Sequence, residues 1–351
     1  MATEPTARGG LPRTRVLALV GVAAVVALVV VGLAVLATGG TDSEQPAAAK
    51  PTTSEPLPGR PSIAAPPSAG APDGAAERVA WAKAQLAREP GPDAALVLAA
   101  AQAEADDEAG ARATLTATPS PRTEAALALL DYDTANPAPA IERLRALAAA
   151  SPDDGFIGFS LGEALLWSGQ RAAGEQVLRA VRDGAPDTFY GVASDNLIHP
   201  SAPGGYPPYI ATTPPPAGRT LAQLRAAATA DAGALQPQLD YGAALLADGQ
   251  RTAAADAFSA ALAVDPASVE AKVGRIIATY AKDNPAASFG QMGPLVRDNP
   301  GNPSPRLHLA MMLLWLRDPD TARAELRQVA TADPDGRLGQ VAQQFLDSLQ
   351  S

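Results

Sequence analysis

The chain has 351 residues, a formal net charge of -10 and no cysteine, so disulfides, thiolate metal sites, cysteine nucleophiles and a cysteine lipid anchor are excluded. Its two histidines, His199 and His308, are too few for a histidine-built zinc site, and its negative charge argues against binding to nucleic-acid phosphates. The chain is 47% hydrophobic but only 4% aromatic, and its apolar residues are mainly Ala, Val and Leu, which favours helices over sheets.

The first predicted element is a transmembrane helix over residues 16–37, which contain no charged residue. At ~1.5 Å per residue this helix spans about 33 Å, enough to cross the hydrocarbon core of a bilayer. Arg8, Arg13 and Arg15 precede it, so the positive-inside rule places the tail 1–15 in the cytoplasm and the rest of the chain outside. The alternative is a cleaved signal peptide, although the apolar run exceeds the usual h-region of about 7–15 residues.

The next segment, residues 38–74, is predicted to be a disordered linker rich in proline and alanine. Its prolines stand among Ala, Ser, Thr and Gly with almost no large apolar residue, so the segment lacks the side chains to bury a core. The favoured interpretation is a passive spacer that holds the following domain away from the membrane. Arginine also far outnumbers lysine in the chain, which is typical of a GC-rich bacterial genome.

Beyond residue 75, helical segments recur with a period of 34 residues. Pro266, Pro300 and Pro334 are 34 residues apart, and Pro152 and Pro186 repeat the same interval. Because proline ends one helix and its fixed φ suits the start of the next, these residues mark a recurrent helix boundary. The pattern resembles the tetratricopeptide repeat, a helix–turn–helix unit of 34 residues. The resemblance implies an all-α fold in which such units stack into an α-solenoid.

Individual positions of the repeat support this resemblance, apart from three departures. Ile276 stands where the family has Gly or Ala, and Gly274 two residues earlier indicates a local phase slip. Asp131 and Thr279 depart at a position that is normally large, so their two units are degenerate. Arg337 to Ser351 is predicted to be a terminal capping helix. The family's small position holds Ala140, Gly174, Ala254, Ser288 and Ala322, and its large position holds Leu144, Leu178, Phe258, Met292 and Leu326.

The repeat pattern divides the rest of the chain into two helical arrays. We expect an N-terminal array over 75–186 and a C-terminal array over 219–351. Between them the period fails, and residues 187–218 are predicted to form an insertion loop rich in proline and glycine. Its Tyr206 and Tyr209 either pack back on an array or bind a partner, and the packed or disordered loop is the favoured interpretation.

In this family the first helix of each unit lines a concave groove that receives peptides or partner helices. Trp167 and Trp315 occupy the same unit position, which predicts aromatic anchors in the groove; the alternative is that both close the core between repeats. The groove-facing positions lack the lysines and asparagines with which the family clamps a C-terminal carboxylate. The predicted groove residues are Phe156, Phe159, Glu163, Trp167, Ile277, Tyr280, Leu307, Met311 and Trp315.

No catalytic residue, cofactor or metal site is predicted. Asp131, Asp133 and Glu142 have the offsets of a calcium loop, but Pro137 and Pro139 distort that loop, so we interpret the three as solvated acids at helix ends. A nucleophile elbow, a phosphate loop and a zinc helix motif are all missing from the sequence.

These features predict a single-pass protein of the bacterial cell membrane whose extracytoplasmic repeat scaffold binds a protein or peptide partner. The tail carries a net positive charge, so the net charge of the remaining chain is more negative than that of the whole chain. This favours a basic partner or a peptide that offers the apolar face of a helix. One alternative is an assembly factor or holdase resembling the anchored tetratricopeptide proteins of cytochrome c maturation. A remote alternative is an enzyme with a site around His199 in the insertion 187–218.

Overall fold

A computed structural model describes residues 59–349 of the chain. The tail 1–15 and the predicted transmembrane helix 16–37 lie outside the described residues, as does most of the linker 38–74. Within 59–349 the secondary structure consists of sixteen α-helices and one isolated bridge between Asp133 and Asn136. None of these sixteen helices is long and apolar enough to cross a membrane.

The described residues divide into two compact units, 59–200 and 201–349, which we call the N-terminal unit and the C-terminal unit. Each unit begins with an extended segment and continues with eight of the sixteen helices. The helices of the N-terminal unit are α1 (Ala75–Arg88), α2 (Pro92–Glu104), α3 (Glu108–Ala117), α4 (Pro121–Leu130), α5 (Ala138–Ala150), α6 (Gly155–Trp167), α7 (Arg171–Gly184) and α8 (Phe189–Ile198).

The C-terminal unit repeats this order. In both units each helix packs against the next one along the chain, and every second helix also contacts the helix two further on. The helices linked in this second way, α2–α4–α6–α8 and α10–α12–α14–α16, form what we call the inner layer of each unit. The helices of the C-terminal unit are α9 (Leu221–Ala230), α10 (Leu235–Ala247), α11 (Arg251–Val264), α12 (Val269–Ala278), α13 (Pro285–Asp298), α14 (Pro303–Trp315), α15 (Pro319–Ala332) and α16 (Arg337–Ser348).

The prolines of the 34-residue period end the outer helices. Each lies two residues after the last helical residue of α5, α7, α11, α13 or α15, so the residue before it is the helix cap. A proline disfavours the α conformation of the preceding residue, and these caps have indeed left it, as Asp265 (φ -135, ψ 96) and Asp333 (φ -136, ψ 54) illustrate. The predicted helix boundaries are confirmed. The five prolines are Pro152, Pro186, Pro266, Pro300 and Pro334.

Paired helices also pack closely at the positions that the repeat predicts. All the small and all the large residues named for the repeat are buried. Phe258 of α11 lies between two glycines of the inner layer. A Cβ on Gly242 would come within 2.9 Å of its ring, and a Cβ on Gly274 within 2.4 Å. Gly274, and not Ile276, therefore provides the close contact in its unit, which agrees with the predicted phase slip. Together the stacked helix pairs establish an all-α, tetratricopeptide-like solenoid in each unit.

Two segments differ from the sequence-based expectation. Residues 187–218 contain the helix α8, whose cap Thr188 accepts a hydrogen bond from the Gly191 N–H, so only their second part is extended. In the linker, Ile63 is buried at 8% exposure instead of being solvated. Both differences have the same cause. A segment with few apolar residues can still adopt an ordered, buried path when an existing helical surface covers those residues.

The two units are also related by a spacing that the 34-residue period does not reveal. The helices α4, α6, α7 and α8 begin 148 residues before α12, α14, α15 and α16, respectively. Tyr132 and Tyr280 have the same separation, and so do Trp167 and Trp315. The chain is thus a tandem arrangement of one module, an extended segment followed by eight helices.

Candidate functional site

The inner layer of each unit is covered by the extended segment that precedes the helices. We call residues 59–66 the N-terminal strap and residues 206–213 the C-terminal strap. Both contain the pattern Pro-x-Ile-Ala, at 61–64 and at 208–211. The central isoleucine is the apolar anchor of each strap, with 8% exposure for Ile63 and 7% for Ile210. We call the helical surface beneath each strap the groove of its unit.

The N-terminal strap crosses three inner helices. Ile63 belongs to one apolar cluster with Ala100 of α2, Leu129 of α4 and Phe156 of α6. The next residue, Ala64, packs against a second cluster that contains Phe159, Leu166 and Ile198. The strap therefore buries small side chains along the groove, as a bound peptide would.

Few polar contacts hold the N-terminal strap. The Ser62 N–H donates a hydrogen bond to Glu163 Oε1 at 3.1 Å, and the Tyr190 hydroxyl donates to the Ala64 carbonyl at 3.3 Å. Arg60 also pairs with Glu108 at 2.9 Å, but both side chains are more than two-fifths exposed. An exposed pair of this kind contributes little to stability.

Glu163 is buried in the floor of this groove with 5% exposure. Burial raises the pKa of its carboxyl from 4.5 to about 7, although hydrogen bonding by Ser62 lowers it in part. Among the residues that the structure describes, neither Glu163 Oε2 nor the indole Nε1 of Trp167 has a hydrogen-bond partner, and both atoms are buried. We call these two atoms the open polar atoms of the N-terminal groove.

The C-terminal strap is held differently, through a buried tyrosine. The ring of Tyr209 stacks on His308 with centroids 5.2 Å apart and meets Phe258 edge-on at 5.3 Å. Its hydroxyl donates to Glu270 Oε1 at 2.7 Å. Glu270 also accepts hydrogen bonds of 2.9 Å from the N–H and the hydroxyl of Thr212. Burial raises the pKa of Tyr209 well above its usual value, so the phenol stays protonated and keeps donating.

His308 is the second polar anchor of the C-terminal strap. Its Nε2 accepts the Ile210 N–H at 3.0 Å, and its Nδ1 lies 2.7 Å from the Ser304 carbonyl. Because Nε2 accepts, the single proton of the neutral ring must be on Nδ1, where it donates to Ser304. Complete burial lowers the pKa of His308, more than the Ser304 carbonyl and the charge of Glu270 raise it, and this keeps the ring neutral.

Further contacts fix the two ends of the C-terminal strap. The Arg251 guanidinium lies 3.4 Å above the ring of Tyr206, and the Arg337 Nε donates to the Ala211 carbonyl at 3.2 Å. The alternative in which Tyr206 and Tyr209 pack back on the array is therefore the one that the structure adopts.

The structure brings the predicted groove residues together beneath the straps. In the N-terminal unit, Phe156, Phe159 and Trp167 belong to clusters that include strap residues, and Glu163 binds the strap backbone. In the C-terminal unit the remaining five residues do the same, in clusters that include Tyr206, Tyr209 or Ile210. These five are Ile277, Tyr280, Leu307, Met311 and Trp315. Their groove role stays a prediction, but the groove they were assigned to is filled by the chain itself.

Sequence reasoning did not identify Glu270 or Tyr190 as groove residues. Glu270 stands at the start of a helix, where an acid is ordinarily explained by the helix dipole. The available signal was the strap pattern, because Pro-x-Ile-Ala occurs twice at matching places ahead of the two arrays. Comparing the two halves of the chain at a separation near 148 would have shown it.

Asp131 and His199, which the sequence analysis also singled out, have partners within the N-terminal unit. Asp131 pairs with Arg112 at 2.7 Å and with Arg143 at 3.4 Å. His199 caps α8, with its Nδ1 3.2 Å from Asp195 Oδ1. Within 59–349, no group of three or more His, Cys, Asp or Glu residues is arranged to hold a metal ion.

No protein-family model and no curated protein matches the chain. Among solved structures, yeast Tom70 is similar with a TM-score of 0.31 and 11% sequence identity, over 79% of this chain and 58% of that one. The TPR domain of P58(IPK) is similar with a TM-score of 0.27 and 13% identity, over 79% of this chain and 92% of that domain. The chain thus spans less than two thirds of Tom70. At such low scores, the tetratricopeptide-like fold is established by the stacked helix pairs of this chain itself.

Proposed function

We propose that this protein is a peptide-binding scaffold whose grooves hold an extended segment of a partner protein. One observation supports this role above all: each groove already holds an extended peptide, the strap, through backbone N–H hydrogen bonds and small apolar side chains. A groove that accommodates its own chain in this way has the shape and the acceptors that a segment of another protein needs.

The proposed role is contact and not catalysis. Glu163 and His308 are buried ionisable groups of the two grooves, and each accepts a hydrogen bond from a strap N–H. Such groups serve here as acceptors for a peptide backbone. Their positions beneath a strap keep them away from solvent, where a reacting water or substrate would have to enter.

We further propose that residues 16–37 anchor the protein in a bacterial cell membrane and that the two helical units are extracytoplasmic. The uncharged apolar run and the arginines that precede it support this proposal. Deletion of 16–37 should move the protein from the membrane pellet to the soluble fraction. A protein that pellets equally without that segment would contradict the anchor.

Partner binding is tested by photo-crosslinking in intact cells. A photoreactive phenylalanine at Phe159 or at Trp167 lies in the N-terminal groove, and the same group at the exposed Ala180 of α7 lies on an outer helix. We expect the two groove positions to link to the same segment of one partner, as mapped by mass spectrometry. Equal adducts from Ala180, or none from the groove positions, would argue against the proposed groove.

A further inference from the structure

The two grooves differ in how completely the hydrogen-bonding capacity of their carboxylate is used. In the C-terminal groove, both carboxylate oxygens of Glu270 and both ring nitrogens of His308 have partners. In the N-terminal groove, the strap supplies one N–H to Glu163 Oε1 and leaves Glu163 Oε2 unpaired among the described residues, whereas an unpaired indole Nε1 is common to both grooves, at Trp167 and at Trp315. A buried acceptor without a partner destabilises the strapped state, so a ligand that pairs Glu163 Oε2 has an advantage over the strap.

The position of Ser62 shows where such a ligand would differ from the strap. Its N–H binds Glu163, and its hydroxyl also lowers the pKa of that carboxyl, so Ser62 lies beside the acid. The serine is exposed and borders a cavity of about 220 Å³ that also includes Glu104. A longer side chain at this position therefore has room beside Glu104, in a cavity that Arg60 also lines, and the Ser62 N–H bond holds the position next to Glu163.

Building on the peptide-binding role proposed above, we propose that the N-terminal groove exchanges its strap for a partner segment of defined chemistry. The segment is an extended Pro-x-Ile-Ala peptide with an arginine or lysine at the position of Ser62. Its cationic side chain pairs with the Glu163 carboxylate, which makes Glu163 the residue that determines specificity. Complementary charge at a desolvated site gives both affinity and selectivity.

The corresponding position of the C-terminal strap can be compared directly with Ser62. There the corresponding strap residue is Tyr209, whose hydroxyl and ring are already engaged by Glu270, His308 and Phe258. Replacing that strap would break several buried contacts at once. We therefore assign exchange to the N-terminal groove and a permanent structural role to the C-terminal strap.

The test uses the full chain and two fluorescent peptides, residues 60–67 as they are and the same peptide with Ser62→Arg. At pH 8, where Glu163 is ionised, the Ser62→Arg peptide should bind at least about tenfold more tightly, as a charge-assisted hydrogen bond predicts. A third peptide with Ile63→Asp should lose binding, because the apolar anchor is gone. The Glu163→Gln chain, of nearly equal side-chain volume, should abolish the advantage of the arginine peptide.

Three results would overturn the proposal. They are equal affinities of the first two peptides, an arginine advantage that persists in the Glu163→Gln chain, and no binding of either peptide at millimolar concentration. If Glu163→Gln fails to fold, the Ser62→Arg substitution in the chain itself decides. It should increase the hydrogen-exchange protection of the α6 amides about tenfold, and unchanged protection would contradict the pairing.

The peptide assay tests the specificity assigned to Glu163, and the cellular crosslinking tests the scaffold function, so either can fail while the other succeeds. A mapped partner without any arginine preference would retain the scaffold function and overturn the specificity assigned to Glu163. An arginine preference without any crosslinked partner would retain that specificity and contradict the scaffold function.

Discussion

The two units place the same extended segment on the same inner layer of helices, yet they attach it by different means. In the N-terminal unit the strap depends mainly on Ile63 and small neighbours, with one backbone hydrogen bond to Glu163. In the C-terminal unit a buried tyrosine, a neutral histidine and an acid fix the strap at several points. The difference indicates that the buried isoleucine and its small neighbours set the path of a strap across the helices. The polar contacts then decide whether the strap is a fixed part of the core or an exchangeable ligand.

The largest expected difference between the units is at the position of Tyr209. Tyr209→Ala should destabilise the C-terminal unit by about 3–5 kcal/mol, because it removes a buried ring and the phenol that donates to Glu270 Oε1. Urea unfolding combined with hydrogen exchange of α12 and α14 measures this loss. The matched change Ser62→Ala in the other strap should alter stability by less than about 0.5 kcal/mol. Comparable losses at the two positions would remove the contrast drawn between the straps.

The two central isoleucines should behave alike. Ile63→Ala and Ile210→Ala should each cost about 2–4 kcal/mol in their own unit, since both side chains are almost fully buried. The same unfolding experiment, read separately for the amides of each unit, gives the two values. An N-terminal loss below about 0.5 kcal/mol would mean that the N-terminal strap is not seated in its groove.

The buried groups of the two grooves should give the units opposite responses to pH. The pKa of Glu163 is raised by burial to about 7 from 4.5, so the folded N-terminal unit binds a proton over this range that the unfolded chain has released. Its contribution is full below about pH 4.5 and falls by roughly 3 kcal/mol as the pH rises to 7. The pKa of His308 is lowered from 6.5, so the C-terminal unit loses stability as the pH falls below 6.5.

Unfolding midpoints at pH 5, 6, 7 and 8 test this prediction, with each unit followed by the exchange of its own amides. Glu163→Gln should flatten the response of the N-terminal unit, and His308→Gln that of the C-terminal unit. Responses of the same sign in both units, or slopes unaffected by these substitutions, would contradict the assignment.

The smallest expected effects test what the two units share. Gly162→Ala would place a Cβ 2.6 Å from Leu178, and Gly274→Ala one 2.4 Å from Phe258. Each change should cost about 1–3 kcal/mol in its own unit by overpacking. The control is Gly290→Ala in α13, where no described atom lies within 4 Å of the new Cβ. This control should be neutral or stabilise by up to about 1 kcal/mol, because Ala has the higher helix propensity. A loss like that of the other two would show that overpacking is not the cause of their losses.

The sequence predicts the helices and their packing positions well. The period of the prolines located the ends of the outer helices, and Gly274 was identified as the displaced close-contact residue beside Ile276. The groove role of Phe159, Glu163 and Trp167 on the inner helix α6 stays a prediction. What was not predicted is the strap above them, since residues 59–66 resemble a solvated linker in composition.

Features that depend on residues close together in the chain can be derived from the sequence. Helix ends follow from the effect of proline on the residue before it, and the buried face follows from small and large residues four positions apart. The tertiary structure alone decided how the grooves are occupied. The bonds that seat the straps join Ser62 to Glu163 and Ile210 to His308, about a hundred residues apart. A short segment with one isoleucine has too little apolar surface to signal burial, and it acquires an ordered path only where stacked helices provide the surface that covers it.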